Sequence, residues 1–573
     1  MARPSVSPRA QAVARGDEPA DLLIRGGRVL SPAAHEWIIT DLAIADGVVC
    51  GWGPRDAHDV LDVGGAAIVA GFVDAHMHLE STKLWVDEFV RTVLPLGTTA
   101  VAADPHEIAN VLGIAGVAGL QQAASRLPFT FGITASSCVP ASPFESSGAQ
   151  LDHRDVAELI NSYGALGVAE VMNFPGVIAG DPEMLARIGV ANGRRVDGHA
   201  PLVRGRDLDA YLAAGVESDH ECTLLEEAEE KRAKGMWVFI RQGSASQNLH
   251  DLIPMVLRGG IGHVALCSDD REPDTLLSVG HLNDCINLAI KEGVDEIDAF
   301  IMATMNPAEY HGFHHLGSLG PGYQADLCIF DTIEGVQPAH VYQRGQLVAS
   351  SGVVVPGAVE AAPAPEWMRE TIHLASAPAA ASLDLKAPPS TKARIIGIEN
   401  GSLTTKSLEG DPFDEVLNTA RLAVLERHHA TGRIGLGWVS GFGLERGAFA
   451  STVGHDAHNV MAVASRHDHG PAAMAAAIEA VSAMGGGQVV VDERGTVLAS
   501  LPLPIAGLMS DQPAEIVGEG LDRLLDAARG LGVSIKAPFM HLSFLGLSVI
   551  PELRLTDQGL IDVNAFEIVA VDL

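Results

Sequence analysis

Between residues 67 and 315 the chain repeats one pattern eight times, a short apolar run followed by a segment of helical period. The runs are Ile68–Asp74, Thr98–Ala103, Thr130–Ala135, Leu166–Val171, Arg195–Asp197, Val216–Asp219, Met236–Ile240 and His263–Cys267. They recur roughly every 28 residues, about the length of one strand-plus-helix unit. In the segment Asp152–Gly164, Val156, Leu159, Ile160 and Tyr163 keep the i, i+3, i+4, i+7 spacing of a helix face. Eight β/α units in series predict an α/β chain built on a closed parallel barrel, a TIM-like (β/α)8 barrel.

The flanks break this rhythm. Residues 1–20 are polar, with Pro4 and Pro8, and read as a loose N-terminal arm. Asp21–Leu30 reads as a strand, a Gly26-Gly27 turn and a second strand, and Ile38–Trp52 continues in short apolar runs divided by Gly and Asp. The turn-rich stretch Leu316–Phe330 returns to that style. The two pieces, 21–66 and 316–360, predict one small two-segment β-sandwich domain around the barrel of 67–315. Residues 361–390, dense in Ala, Pro and Ser, read as a linker. Residues 391–573 form a C-terminal α+β domain, with strands at Gly487–Val491 and Ile568–Asp572 and helices at Pro471–Met484 and Ala514–Leu531.

Charge narrows the partners. Lys and Arg total 38 against 72 Asp and Glu, a formal charge of −34. Such a field repels nucleic acid and anionic membrane and suits a small neutral substrate. No apolar run is long enough to span a bilayer, and Met1–Gly16 lacks the apolar core of a secretory signal. Six scattered cysteines form no C-x-x-C pair and read as reduced thiols of a cytoplasmic protein.

In a barrel of this kind the chemistry sits where the strands end. The first strand ends Asp74-Ala-His76-Met-His78, and residues two apart on a strand point the same way, so His76 and His78 grip one ion together. The fourth carries Glu170, the fifth is followed by His199, the sixth by His220-Glu221 and the eighth by Asp269-Asp270. One histidine at one strand end would mean little; five strand ends with ligand-type residues argue together. The set His76, His78, Glu170, His199, His220 and Asp269 exceeds what one ion needs, and Glu170 as a bridge would allow two. Imidazole and carboxylate suit Zn, Mn or Fe(II) alike.

The block Gly71-Phe-Val-Asp-Ala-His-Met-His-Leu-Glu-Ser81 resembles the opening signature of the amidohydrolase superfamily. Asp104-Pro-His-Glu-Ile108, Ser136-Ser-Cys-Val-Pro140, Phe174-Pro-Gly-Val177, Asp197-Gly-His199 and Leu501–Met509 resemble the bacterial adenine deaminases more closely, from about residue 16 to the end. Many superfamily relatives carry a carbamylated lysine on the fourth strand; here Glu170 stands there. The resemblance implies hydrolytic deamination of adenine to hypoxanthine and ammonia, by a hydroxide bridging two divalent ions. It implies Mn or Fe(II) in the site, and a homo-oligomer, with a dimer favoured.

That reaction needs a hydroxide, an acid for the ring nitrogen and a proton for ammonia. A metal supplies the first by lowering the pKa of bound water. Asp269, ligand and carboxylate, is assigned as the base. Glu221 is the candidate acid, or else a helix-start carboxylate. Asp104 is assigned to substrate orientation or proton handling, with His106 and Glu107 beside it, and Asp74 to support from behind the ligands. Gln242 and Ser244 could hydrogen-bond a base edge, unless they are only a strand-to-loop turn. Gly454-His455-Asp456-Ala-His458-Asn459 is read as closing the pocket or as a polar turn rather than as a second metal site. Three alternatives compete: deamination of a 6-substituted purine, which the same ligand set would serve; hydrolysis of a cyclic amide, against which Glu170 counts; and a metal-free binding scaffold, which should have lost ligands.

Overall fold

The computed structural model describes residues 7–385, 392–398 and 404–573. Residues 1–6 of the expected arm and 386–390 of the expected linker lie outside the described residues. Eight parallel strands set the frame: β1 (Phe72–Met77), β2 (Thr98–Ala103), β3 (Thr130–Ile133), β4 (Val168–Val171), β5 (Val196–Gly198), β6 (Ser218–Asp219), β7 (Trp237–Arg241) and β8 (Val264–Cys267). Ladders join β1–β2–β3, β4–β5 and β6–β7–β8. A parallel bridge, Ala135↔Val168, links the third strand to the fourth, and Glu217 N donates to Val196 O at 2.9 Å between the fifth and sixth. The bridge Met77↔Asp269 returns the last strand to the first. All eight C-terminal ends therefore open at one mouth. Inside, Ala75, Phe239, Ala265 and Cys267 pack on Tyr310, and Val73 and Ala100 pack on Phe313 and Leu316.

The first apolar run divides between two sheets. Ala67–Ala70 pairs antiparallel with Leu327–Phe330, while Phe72–Met77 enters the ring. Gly71 makes the crossing, and a Cβ there would overlap Thr99 Oγ1. The sequence shows one run because both strands are buried on both faces.

The flanking sheet has nine strands, from residues 20–70 and 327–354: eight follow one hydrogen-bonded path, and Ala57–Asp62 branches from it by pairing parallel with the first half of Ala20–Ser31. Its two segments still share one apolar cluster, in which Ile24, Leu42 and Ile44 meet Ile68, Leu327 and Ile329. The expected Gly26-Gly27 turn is a bulge inside one long strand, Ala20–Ser31: Gly26 takes a left-handed φ of 71° and the register shifts there without reversing the chain. The true reversal is Asp46-Gly47, both at positive φ. The arm is not loose where described. Pro8–Arg15 is a helix, capped by the Ser7 side chain and closed by Gly16, with Val13 buried under the sheet.

The Ala/Pro/Ser-rich stretch is fastened down rather than free. Trp85 Nε1 donates to Ala362 O, Ala506 N to Met368 O and His373 N to Arg427 O. Beyond it an eight-stranded sheet runs from Thr405–Gly410 at one edge to Val497–Pro502 at the other. Helix Gly470–Ala483 covers one face, joining Ala473, Ile478 and Val481 to Ala450 and Val489. Among the described residues no helix is long and apolar enough to cross a membrane.

Candidate active site

His76 lies in β1 and His78 just beyond it; Glu170 lies in β4; His199, His220 and Asp269 follow β5, β6 and β8. All six are buried, and they meet. His78 Nε2 is 3.4 Å from Glu170 Oε1 and 3.2 Å from Asp269 Oδ1, which is 3.5 Å from His76 Nε2. The other oxygen, Glu170 Oε2, is 2.7 Å from His199 Nδ1 and 3.2 Å from His220 Nε2. Glu170 thus turns one oxygen to each group of imidazoles.

These spacings fit metal ions. Two ligands each about 2.1 Å from one ion lie roughly 3.0–3.4 Å apart at octahedral to tetrahedral angles. His76 Nε2, His199 Nε2, His106 Nδ1 and Asp104 Oδ2 are buried without a hydrogen-bond partner among the described residues. Such atoms are costly to bury unless something binds them. The groups His76–His78–Asp269, His76–Glu170–His220 and His78–Asp104–His106–Glu170 each bring their ligand atoms within 4.8 Å of one another.

A shell behind these side chains orients them. His78 Nδ1 bonds the Asp104 carbonyl at 3.0 Å, which leaves Nε2 for the mouth. Asp74 accepts from His76 N, Ser268 N and Ser268 Oγ, so it ties the first strand end to the eighth. Lys231, fully buried, donates to Ala200 O, Asp219 Oδ2 and Glu227 Oε1. Asp219 in turn accepts from Ala200 N. One ammonium therefore pins the loops that carry His199 and His220. Asp269 itself holds a left-handed φ of 54°, a conformation non-glycine residues keep where surroundings enforce it.

Electrostatics follow from burial and partners. Burial alone would raise the Glu170 carboxyl, but the imidazoles of His199 and His220 outweigh it and hold it well below its ordinary range. Burial opposes charging His199, yet Glu221 and Glu170 raise it to about 9. Arg241, the last residue of β7, grips both Glu221 oxygens and donates to Asp269 Oδ2 at 2.7 Å. Against burial, which would raise it, Arg241 and the two nearby histidines lower the Glu221 carboxyl.

The far wall comes from the C-terminal sheet. The loop between Ala448–Ser451 and Val460–Ser465 brings His455 Nδ1 to 2.7 Å from Glu107 Oε1 and Asp456 Oδ1 to 3.5 Å from His106 Nε2. The His455 ring stacks on Phe544 at 4.4 Å between centroids. Phe544, Leu547 and Ile550 face the ligands across a chamber that Met172, Arg241 and Asp270 also line. The loop is anchored to the ring, for Asn459 Nδ2 donates to Ser146 O at 2.8 Å. His458 turns back to its own loop and accepts from Gly454 N.

Residues 67–359 match the amidohydrolase family, and residues 402–567 match the adenine deaminase C-terminal domain. The adenine deaminase of Desulfatibacillum aliphaticivorans is 43% identical over 573 residues, with 98% of each chain covered. Adenine deaminase 2 of Carboxydothermus hydrogenoformans is 41% identical over 572 residues, again with 98% of each covered. The chain belongs to the adenine deaminase family. The adenine deaminase of Brucella suis biovar 1 is 40% identical over 566 residues, covering 97% of this chain and 95% of that one.

Against this family background, the structure brings Asp104, His106 and Glu221 to the ligands, but not Gln242 or Ser244. Ser244 Oγ donates to Thr275 Oγ1 and accepts from Glu272 N, and Gln242 pairs by its backbone with Gln247. Alternation explains the difference. Trp237 and Phe239 face the ring interior, so Arg241 follows them inward and Gln242 does not. Arg241, two residues beyond Phe239, was legible by that rule. Asp270 and Met172 adjoin assigned ligands in the chain, whereas Phe544, Leu547 and Ile550 carry no local signal at all.

Proposed function

We propose that this chain hydrolyses adenine to hypoxanthine and ammonia. The eight-stranded ring is read as a closed (β/α)8 barrel with the reaction at its mouth. His76, His78, Glu170, His199, His220 and Asp269 would hold two divalent ions, manganese or ferrous iron. Zinc fits the same donor types. The observation that carries this reading is Glu170, with Oε1 toward His78 and Oε2 toward His199 and His220. When bound, the ions supply an activated water near neutral pH.

The chain's own groups manage the protons. Asp269 takes a proton from the attacking water and hands it to the departing ammonia, while Glu221, protonated as adenine binds, gives its proton to the purine ring nitrogen and regains one from the newly added hydroxyl. Both carboxylates accept from Arg241, whose guanidinium fixes them relative to each other. Asp104 and His106, 3.2 Å apart, sit beside the same oxygen of Glu170 and orient the substrate edge. Phe544, Leu547 and Ile550 keep bulk water from the reacting carbon. Six free, buried cysteines support a cytoplasmic setting, where a free base is available for purine salvage.

The test is a direct assay. Protein purified with manganese should release one ammonia per hypoxanthine formed, and a chelator should abolish both. Protein that carries two ions per chain and leaves adenine untouched would sink the substrate assignment.

A further inference from the structure

Asp456 stands out among the chamber's carboxylates. It comes from the C-terminal loop, is buried, and lines the chamber opposite the strand ends. Its Oδ1 is 3.5 Å from His106 Nε2, and its Oδ2 has no hydrogen-bond partner among the described residues. A buried carboxylate oxygen with no donor is a standing demand for an N–H. His455 Nδ1 is 3.7 Å from Oδ1, and Phe544, Leu547 and Ile550 line the same chamber.

We infer that Asp456 selects the free base, by accepting the N–H of the purine's five-membered ring. This rests on the adenine reading above. When the amino-bearing carbon faces the ligands at the strand ends, the five-membered ring points away from them, towards the C-terminal wall. His106 spans the distance, with Nδ1 3.3 Å from Glu170 Oε1 and Nε2 3.5 Å from Asp456 Oδ1. Glu170 Oε1 and Asp456 Oδ1 therefore stand at the two nitrogens of one imidazole, separated by that ring and a contact at each end, roughly the span of a purine's long axis. A free base has an N–H for it. A nucleoside has none at the substituted nitrogen, and it would bury sugar hydroxyls against Phe544, Leu547 and Ile550, which offer them no side-chain partner. The loop is held for this task by the contacts of His455 to Glu107 and Phe544.

The experiment compares adenine with 9-methyladenine in the manganese-loaded protein, in Asp456→Ala and in Asp456→Asn, with metal content and thermal midpoint measured for each. A site built around an N–H rejects an analogue lacking it, so the parent should prefer adenine by about 100-fold or more in kcat/KM. In Asp456→Ala the KM for adenine should rise about 10-fold or more, and the preference should shrink to a few-fold. Asp456→Asn keeps a carbonyl acceptor and should retain part of the preference, which loss of packing alone would not restore. An unchanged preference in a metal-replete Asp456→Ala overturns the inference. So does a parent protein that deaminates both bases equally well, whether or not the variants fold. A metal-replete parent inert towards adenine defeats the functional reading itself, a different result from loss of selectivity.

Discussion

The chamber has two halves of opposite character. The ring half is mainly ionic: four histidines, five carboxylates and Arg241 line it, with Met172 beside them. The C-terminal half is mainly apolar, with Phe544, Leu547 and Ile550 joined by only His455 and Asp456. In the ring half each side chain is held by others: Lys231 behind the His199 and His220 loops, Asp74 behind His76, Arg241 between Glu221 and Asp269. In the other half positions come from packing and a few interdomain hydrogen bonds, such as Asn459 to Ser146 and Ser142 Oγ to Ser548 Oγ at 2.6 Å. On the proposed function the contrast would separate tasks: one half would generate the reactive water and move protons, and the other would admit, read and dry the substrate.

The sharpest way to break this division is Glu170→Gln. Loss of the carboxylate facing both histidine groups should lower kcat for adenine about 1000-fold or more and reduce bound metal below two ions per chain. Ammonia release and elemental analysis measure both. Full activity with both ions present would mean Glu170 is not the bridge.

Lys231→Met tests whether the ring half depends on its buried charges. It would leave Asp219 and Glu227 without their cation, and removing one partner of a buried pair costs about 3–5 kcal/mol. Urea unfolding should show that loss, with a fall in metal affinity because both ligand loops are freed. A stability change near zero would show that the loops hold without the triad.

Phe544→Ala probes the opposite half. It should raise the KM for adenine about tenfold, the scale of a hydrophobic pocket contact, while metal content stays at two per chain. Loss of metal instead would erase the proposed separation of tasks.

The smallest effect lies where the C-terminal sheet meets the ring loops. Glu426 accepts from His428 N, His429 N, Thr431 N and Thr431 Oγ1, and His429 bonds Ser147 O. Burial would raise this carboxyl, but the hydrogen bonds outweigh it and lower it. A depressed folded pKa means the stabilisation is complete above the unfolded value, near 4.3. It disappears as pH falls through the folded one. Glu426→Gln should therefore be less stable than the parent by about 1 kcal/mol at pH 7, with the gap closing below about pH 4. A gap independent of pH would mean the carboxylate charge contributes nothing.

Legibility followed the same boundary. The strand ends were readable because a strand's alternation and a β/α unit's length are local properties of the chain. His76, Glu170 and His199 needed only the knowledge of where each strand stops. The flanks misled where a local signal has two structural outcomes. Gly26-Gly27 serves a turn or a bulge equally well, and only pairing with Glu36–Ala45 selects the bulge. Ala/Pro/Ser richness marks irregular backbone, and Met368 and Ala362 show that irregular backbone can still be pinned.

By itself the sequence determined the order of the β/α units, the ligand types at their ends and, through glutamate on the fourth strand, a carboxylate at the centre. These depend on separations of a few residues, which backbone geometry fixes without reference to distant parts. Only the tertiary structure decided that Asp456 meets His106, that Phe544 and Ile550 roof the ligands, and that Arg241 rather than Gln242 enters the chamber. Contacts across hundreds of residues arise from the docking of two sheets, and no local periodicity encodes which loop that docking presents.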